Sequence, residues 1–239
     1  MRIVVASAPK MGNHWIKCLL GEIYGLNQIA GEDKQRVTRD DYPAWVADGN
    51  FPDGSIMHMH NRFKTRLCNV IEQTPAHLFT IVRDPYDAFV SMYHWNQERV
   101  ARDLDKGRDR PRHLLAGKPL DDPDAVRFIA EHYGTTIAHA LGWVHSGRAV
   151  VVRYENLHAD PVAELTRATR QIEPADPERI AAAIEACRAD VMRQRSEKMQ
   201  WHVRGGRVGD SRQTLGPAHL AAFREHHADA IRSLGYEVR

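Results

Sequence analysis

Apolar positions along this chain alternate between short β-branched runs and stretches with helical spacing. Ile3-Val4-Val5-Ala6 is the first run, too short for a helix and bounded by polar residues, and it reads as a buried strand. From about His14 to Tyr24 (HWIKCLLGEIY) the apolar residues recur at helical spacing, so the strand feeds a helix. Residues 37–55 are rich in Asp, Pro and Gly and read as connection, and Ser55 to His60 forms a short strand ending in polar residues. Ala76 to Val82 is a clear strand broken by Arg83-Asp84-Pro85, where the proline suits the first turn of a helix running through Phe89, Val90, Tyr93 and Trp95. A helix is predicted over about 124–145, a strand over Arg148 to Tyr154, and helices over about 160–172, 176–195 and 217–234. Strands alternating with helices predict an α/β fold, a parallel sheet wrapped on both faces, in one domain over 1–239. Such sheets bind ligands at the carboxyl ends of their strands, where Lys10, His60, Arg83 and Tyr154 fall.

Two segments break the pattern. From Glu98 to Asp124 the composition shifts to Arg, Asp, Lys, Gly and Pro, which fits either a mobile lid or substrate rim or a solvated charged insertion. Arg204 to Asp210 is glycine-rich. Hydrophobic residues make up 43% and charged residues 27%, the balance of a soluble globular protein, with no apolar run long enough to span a membrane. The chain starts directly on a strand, without the pattern of a secretory signal, which predicts a cytoplasmic protein. Its wealth of Ala and Arg suits a bacterial source. Cys18, Cys68 and Cys187 are odd in number and widely spaced, so reduced thiols are expected, with neither a disulfide framework nor a zinc site. A net charge of +2 gives no field for nucleic acid, and any anion site must be local.

The first local candidate is Ser7 to Lys17 (SAPKMGNHWIK), where a lysine and a glycine sit between strand and helix. Backbone N–H groups and a helix N-terminus hold phosphate in such turns. This is a P-loop-like arrangement but not a Walker A motif, because Lys10 precedes Gly12 and no Ser or Thr follows to hold Mg²⁺. Alone, the stretch is either an anion loop or an ordinary turn with a solvated lysine. A second candidate places Arg83 at a strand end and Ser91 two helical turns later, where a guanidinium and a hydroxyl can share a phosphate. The third is Arg204-Gly205-Gly206, an arginine beside glycines whose backbone can approach an anion closely. Three such elements imply a ligand with more than one anionic group.

In these motifs the sequence resembles the PAPS-dependent sulfotransferase family, the cytosolic-type enzymes and their bacterial relatives. Pro9-Lys10-Met11-Gly12-Asn13-His14-Trp15 is similar to the family's PKSGTTW loop for the 5′-phosphosulfate, and RDPYDAFVSMY, Arg83 to Tyr93, matches every specified position of its RDPxDxxVSxY element for the 3′-phosphate. Arg204 to Ser211 resembles the closing RKGxxGDW loop, with Gly205 and Ser211 in place of its lysine and tryptophan. Tyr154-Glu155-Asn156-Leu157 resembles YEDL, and Tyr133-Gly134…His139…Trp143 resembles YGxxxxHxxxW. The dimer motif KxxxTVxxxE of the vertebrate enzymes is not kept, since Gly216, Pro217 and Ala221 stand in its places, so that dimer mode is not expected.

The resemblance implies a sulfotransferase that uses PAPS as donor, releases PAP and needs no metal; no motif decodes the acceptor, and because the 98–124 loop is neither strongly basic nor aromatic, a hydroxylated small molecule is expected by default over a polyanionic glycan. It implies that Lys10 stabilises the leaving oxygen and that Ser91 restrains hydrolysis through that lysine. Met11, Gly12, Asn13 and His14 would line the 5′-phosphate, with Trp15 on adenine and Tyr154 near it; Arg83, Ser91, Arg204, Gly205 and Gly206 would hold the 3′-phosphate. The general base is placed at His60, with His58 on the same strand face as the alternative. An imidazole, with its ordinary pKa near about 6.5, can take the hydroxyl proton. A P-loop kinase and a nucleotide-binding module without catalysis are the rival readings; the first lacks its Walker A order and Mg²⁺ ligands in this sequence.

Overall fold

The structure, a computed structural model, describes residues 1–29, 42–102, 111–203 and 206–239. These fall into two compact units, one built from 1–83 and 142–191 and the other from 84–141 and 192–239.

The first unit holds the sheet. Five parallel strands, β1 (Arg2–Ala6), β2 (Asn27–Gln28), β3 (Ser55–Met59), β4 (His77–Val82) and β5 (Val150–Arg153), run in the order β2-β3-β1-β4-β5. The chain lays β3 on one side of β1 and β4 on the other, so the strand order reverses at β1, and the carboxyl end of that strand is where such sheets form their binding crevice. Alternation sorts the side chains. Val4, Ala6, Met57, Met59 and Leu78 share a core with Tyr42, Phe51, Leu67, Ile71 and Trp143. On the opposite face Ile56 meets α1 (Asn13–Tyr24) at Gly21, where an added Cβ would lie 3.6 Å from Ile56 Cγ2. Helices thus cover both faces, as the sequence predicts.

The strand over 148–154 is shorter than its apolar run: Arg148 leaves it to pair with Glu72, and Tyr154 opens the helix Tyr154–Ala159. Within the predicted connection, Tyr42–Ala47 is a helix, and its tyrosine is drawn into the core. A helix at Thr65–Gln73 was hidden by its mixed composition and is fixed by three buried positions on one face, Leu67, Cys68 and Ile71.

Asp-Pro pairs punctuate the chain. Asp84, Asp122, Asp160 and Asp176 each accept backbone N–H bonds as the N-cap of a helix whose first residue is proline, starting at Pro85, Pro123, Pro161 and Pro177. The carboxylate satisfies orphan donors and the ring is already at helical φ, so each pair fixes a helix start.

The second unit is helical. Its core gathers Tyr86 and Phe89 of the helix Pro85–Ala101, Phe128, Tyr133 and Phe223, with ring pairs such as Phe89–Tyr133 at 5.4 Å and Tyr133–Phe223 at 5.6 Å. The predicted 124–145 helix is interrupted by a π-turn at Ile129–Tyr133, where His227 bonds the Ile129 carbonyl at 2.6 Å. A side chain inserted into the helical ladder is a recognised cause of such a turn. Of the charged segment, 103–110 lies outside the described residues. The part after it is tied down: Gln97 bonds the backbone of Leu115, Gly117 and Lys118, and Tyr93 donates to the Lys118 carbonyl at 2.8 Å.

The expectation of three reduced thiols is corrected. Cys18 on α1 and Cys187, just after the helix Pro177–Ala186, are joined as a disulfide across 169 residues. The fold brings together two cysteines that spacing could not pair. Cys68 is buried, and burial pushes its thiol pKa up. Titration with a thiol reagent is expected to find one thiol per chain in denaturant, and none reacting readily in the native protein. Reduction should lower the thermal midpoint by roughly 4–16 °C, from about 2–4 kcal/mol of lost stabilisation. Three titratable thiols in the unreduced, denatured chain would contradict the pairing.

Candidate active site

Register builds the site at the sheet's carboxyl edge. Ala6 pairs with Met59, so the next residues, Ser7 and His60, leave the sheet side by side. Val82 pairs with Arg153, so Arg83 and Tyr154 do the same.

Ser7 is fully buried and makes three connections. Its N–H donates to the Met59 carbonyl at 3.3 Å, its hydroxyl donates to the Asn13 side-chain oxygen, and its carbonyl lies 2.9 Å from His60 Nδ1. A carbonyl only accepts, so Nδ1 carries the proton and Nε2 is the acceptor nitrogen of the neutral ring. The chain just past His60 is also held, because Trp143 Nε1 donates to the Asn61 carbonyl at 2.9 Å and its ring meets Phe63 edge-on at 5.5 Å. His60 itself is exposed.

His58 differs. It is only 4% exposed and lies between two other imidazoles, 4.8 Å from His14 and 5.5 Å from His60 between ring centroids. The three rings form a row on the α1 face of the sheet, with His58 buried between the partly exposed His14 and the exposed His60.

The loop between β1 and α1 takes an anion-binding form. Lys10 has φ 67°, the one left-handed non-glycine among the described residues, and Gly12 has φ 111°. Left-handed residues that alternate with ordinary ones turn N–H groups to one side, and the start of α1 adds its unpaired first N–H groups. Asn13 is buried, and its amide nitrogen donates to the Ala8 carbonyl at 3.0 Å, so its side chain shapes the loop, leaving its backbone to offer a ligand. Met11 is also fully buried and can contribute only backbone. His14 and Trp15 are partly exposed.

Tyr154 locks this loop in place. A Cβ on Gly12 would lie 2.8 Å from Tyr154 Cδ2, so only glycine lets the two approach. Trp15 meets the same ring edge-on at 5.5 Å, and the Arg83 guanidinium stacks over it at 4.3 Å. Both are buried, Tyr154 to 4% and Arg83 to 8% exposure. The tyrosine is thus chiefly a packing plate that orients an arginine and a tryptophan.

In the second unit Ser91 sits partly buried on the helix Pro85–Ala101, one turn beyond Asp87. Asp87, 2% exposed, accepts from the N–H of Gly209 at 2.6 Å and of Ser211 at 2.9 Å, and so fastens the glycine-rich loop to that helix. Gly206 and Gly209 take left-handed φ of 62° and 82°, while Arg204 and Gly205 lie outside the described residues. Sequence reasoning gave Ser7 and Asp87 no part. Asp87 was visible as a fixed letter of the RDPxDxxVSxY pattern, whereas nothing in the sequence singles out Ser7.

No curated protein matches the chain in sequence. Among solved structures it is similar to a mouse sulfotransferase, SULT7A1, complexed with PAP, at 19% identity and TM-score 0.72 over 97% of this chain and 84% of that one. It also resembles retinol dehydratase complexed with androsterone and the inactive cofactor PAP, at 14% identity, TM-score 0.63 and coverage of 100% and 82%. A retinol dehydratase complex with retinol and PAP gives 13% identity, TM-score 0.65 and the same coverage. At these identities the likeness establishes the fold. The family model for the sulfotransferase domain matches residues 1–235, nearly the whole chain, and on that match this chain belongs to the sulfotransferase domain family.

Proposed function

We propose that this chain transfers the sulfuryl group of PAPS to a hydroxyl of a small molecule, with His60 as general base and Lys10 at the leaving oxygen. The observation that carries the reading is the bond from His60 Nδ1–H to the Ser7 carbonyl, which turns Nε2 into a fixed proton acceptor at the end of the central strand's neighbour.

The residues fit the donor. The left-handed backbone at Lys10 and Gly12 and the start of α1 form a cradle for a 5′-phosphosulfate, with His14 at its edge. Trp15 offers a flat apolar surface for adenine beside Tyr154. Arg83 is a buried cation pre-positioned on an aromatic face, suited to a phosphate. For Ser91, Arg204, Gly205 and Gly206 the role proposed is contact with the 3′-phosphate. PAPS supplies an activated sulfuryl group: a bond forms from acceptor oxygen to sulfur while the bond from sulfur to the bridging phosphate oxygen breaks. His60 Nε2 takes the acceptor's proton as its oxygen becomes nucleophilic, and the ring's hold on Ser7 keeps that nitrogen aimed. Lys10 neutralises charge on the departing phosphate, the role of a preorganised cation. His58, buried within the row of rings, supports His60 and does not replace it.

The acceptor is read as a hydroxylated small molecule. Retinol and androsterone, bound in two of the similar structures, are apolar molecules of that kind. A cytoplasmic setting of bacterial type is kept as part of the proposal. There the disulfide would meet a reducing pool, and the near-complete burial of Cys18 and Cys187 shields it.

Calorimetric titration should show PAP binding without metal and at least about tenfold more tightly than AMP, since a phosphate held by charge-assisted bonds adds roughly 1.5–3 kcal/mol. Preference for ATP with Mg²⁺ would overturn the reading in favour of a kinase. In a PAPS turnover assay His60→Ala is expected to lower kcat by roughly 10²–10⁴-fold while PAP affinity stays within a few-fold, because a base acts on the acceptor's proton. Lys10→Ala should lower kcat by about 10²–10³-fold. His58→Ala should keep activity within about tenfold; the opposite ranking of the two histidines would move the base to His58.

A further inference from the structure

Outside the proposed chemistry, a set of largely buried charges in the second unit surrounds Arg239. Its side chain is 11% exposed, and its guanidinium lies 4.0 Å over the Tyr86 ring. One terminal nitrogen donates both to Asp84 Oδ1 at 3.2 Å and to the Ser211 hydroxyl at 2.9 Å. The backbone N–H of Arg239 donates to the Tyr86 hydroxyl at 3.0 Å.

Each partner already has a task. Asp84 caps the helix that carries Ser91, accepting from the N–H of Tyr86 at 2.8 Å and of Asp87 at 3.2 Å. Ser211, receiving a bond from Arg239, passes its own proton to Asp87, the carboxylate that fastens Gly209 and Ser211. Two largely buried carboxylates three residues apart therefore face one guanidinium, directly at Asp84 and through the Ser211 hydroxyl at Asp87. Burial pushes the Asp84 carboxyl up and Arg239 pulls it down. Without the arginine the cap and the loop anchor would be two like charges three residues apart that lose the cation bridging them.

We propose that Arg239 is a positioning residue: by joining the helix cap to the loop anchor, it sets Gly209 to Ser211 against the helix bearing Ser91 and so preorganises the second unit's contribution to 3′-phosphate recognition. The inference rests on the PAP reading above. Arg239 itself touches no reacting atom; it acts through Asp84, Ser211 and Asp87. Lysine cannot take its place, because a single ammonium lacks the planar surface that stacks on Tyr86 while reaching two acceptors.

The test measures affinity for PAP and for AMP, which lacks the 3′-phosphate, in the wild-type chain, Arg239→Ala, Arg239→Lys and Ser211→Ala. The expected result is a ten- to hundredfold loss of PAP affinity in Arg239→Ala with AMP affinity within threefold, so that the PAP-to-AMP ratio collapses. Arg239→Lys should rescue little of it, and Ser211→Ala, which cuts only the relay to Asp87, should fall between. In turnover the loss should appear in the KM for PAPS, with kcat within about threefold. General destabilisation would weaken both nucleotides together and leave the ratio intact. Should Arg239→Ala fail to fold, Arg239→Lys and Ser211→Ala carry the test on the same ratio. A wild-type preference for PAP that survives unchanged in the folded variants would overturn the assignment to Arg239 alone. A wild-type chain with no such preference would overturn the PAP reading and this inference with it.

Discussion

One backbone carbonyl, that of Ser7, sets the tautomer of the histidine proposed as base. It ends the central strand, and its bond from His60 Nδ1 decides which nitrogen of the ring is basic. The same residue's hydroxyl holds Asn13, and Asn13 holds Ala8, so the loop carrying Lys10 and the imidazole are referenced to one point. A surface histidine samples many rotamers, and aiming it would cost entropy at each turnover. Here the cost is met on folding, because the sheet register that pairs Ala6 with Met59 brings the two residues together whether or not a substrate is present.

Much of this was legible. Three of the five strands are short β-branched or apolar runs with turn residues after them, and the motifs fall at strand ends because parallel sheets place their sites there. Lys10, His60 and Arg83 were singled out by position for that reason. What resisted reading is non-local. Cys18 and Cys187 are 169 residues apart, and their meeting depends on two helices packing together. Ser7 looks like any serine at a strand end, since its importance lies in a main-chain oxygen that carries no sequence signature. The helix Thr65–Gln73 hides because charged and polar residues dominate its composition and only one face is buried. Arg239 stands in no motif, and its partners are 155 and 28 residues away.

The acidic residues of the RDPxDxxVSxY stretch illustrate how a motif can be conspicuous for structural reasons. Beside a proposed phosphate site a carboxylate is electrostatically unwelcome, and two are worse. Their bonds resolve the conflict: Asp84 spends its charge on the helix's first N–H groups and Asp87 on the N–H groups of Gly209 and Ser211. Carboxylates bonded to backbone donors and a guanidinium project less field outward, so anion recognition and these acids can coexist in one stretch.

The row of His14, His58 and His60 bears on why His60 is the imidazole proposed as base. Protonating His60 places a positive charge within 5.5 Å of His58, which in turn lies 4.8 Å from His14. A second cation in that row would be opposed by the first, and His58, at 4% exposure, would also lose hydration on charging. Of His58 and His60, the latter is therefore the better placed to keep its hydration if it takes a proton as proposed. Burial separates the exposed His60 from the buried His58, and that difference favours His60 for the proposed role over a neighbour of identical chemistry two residues earlier.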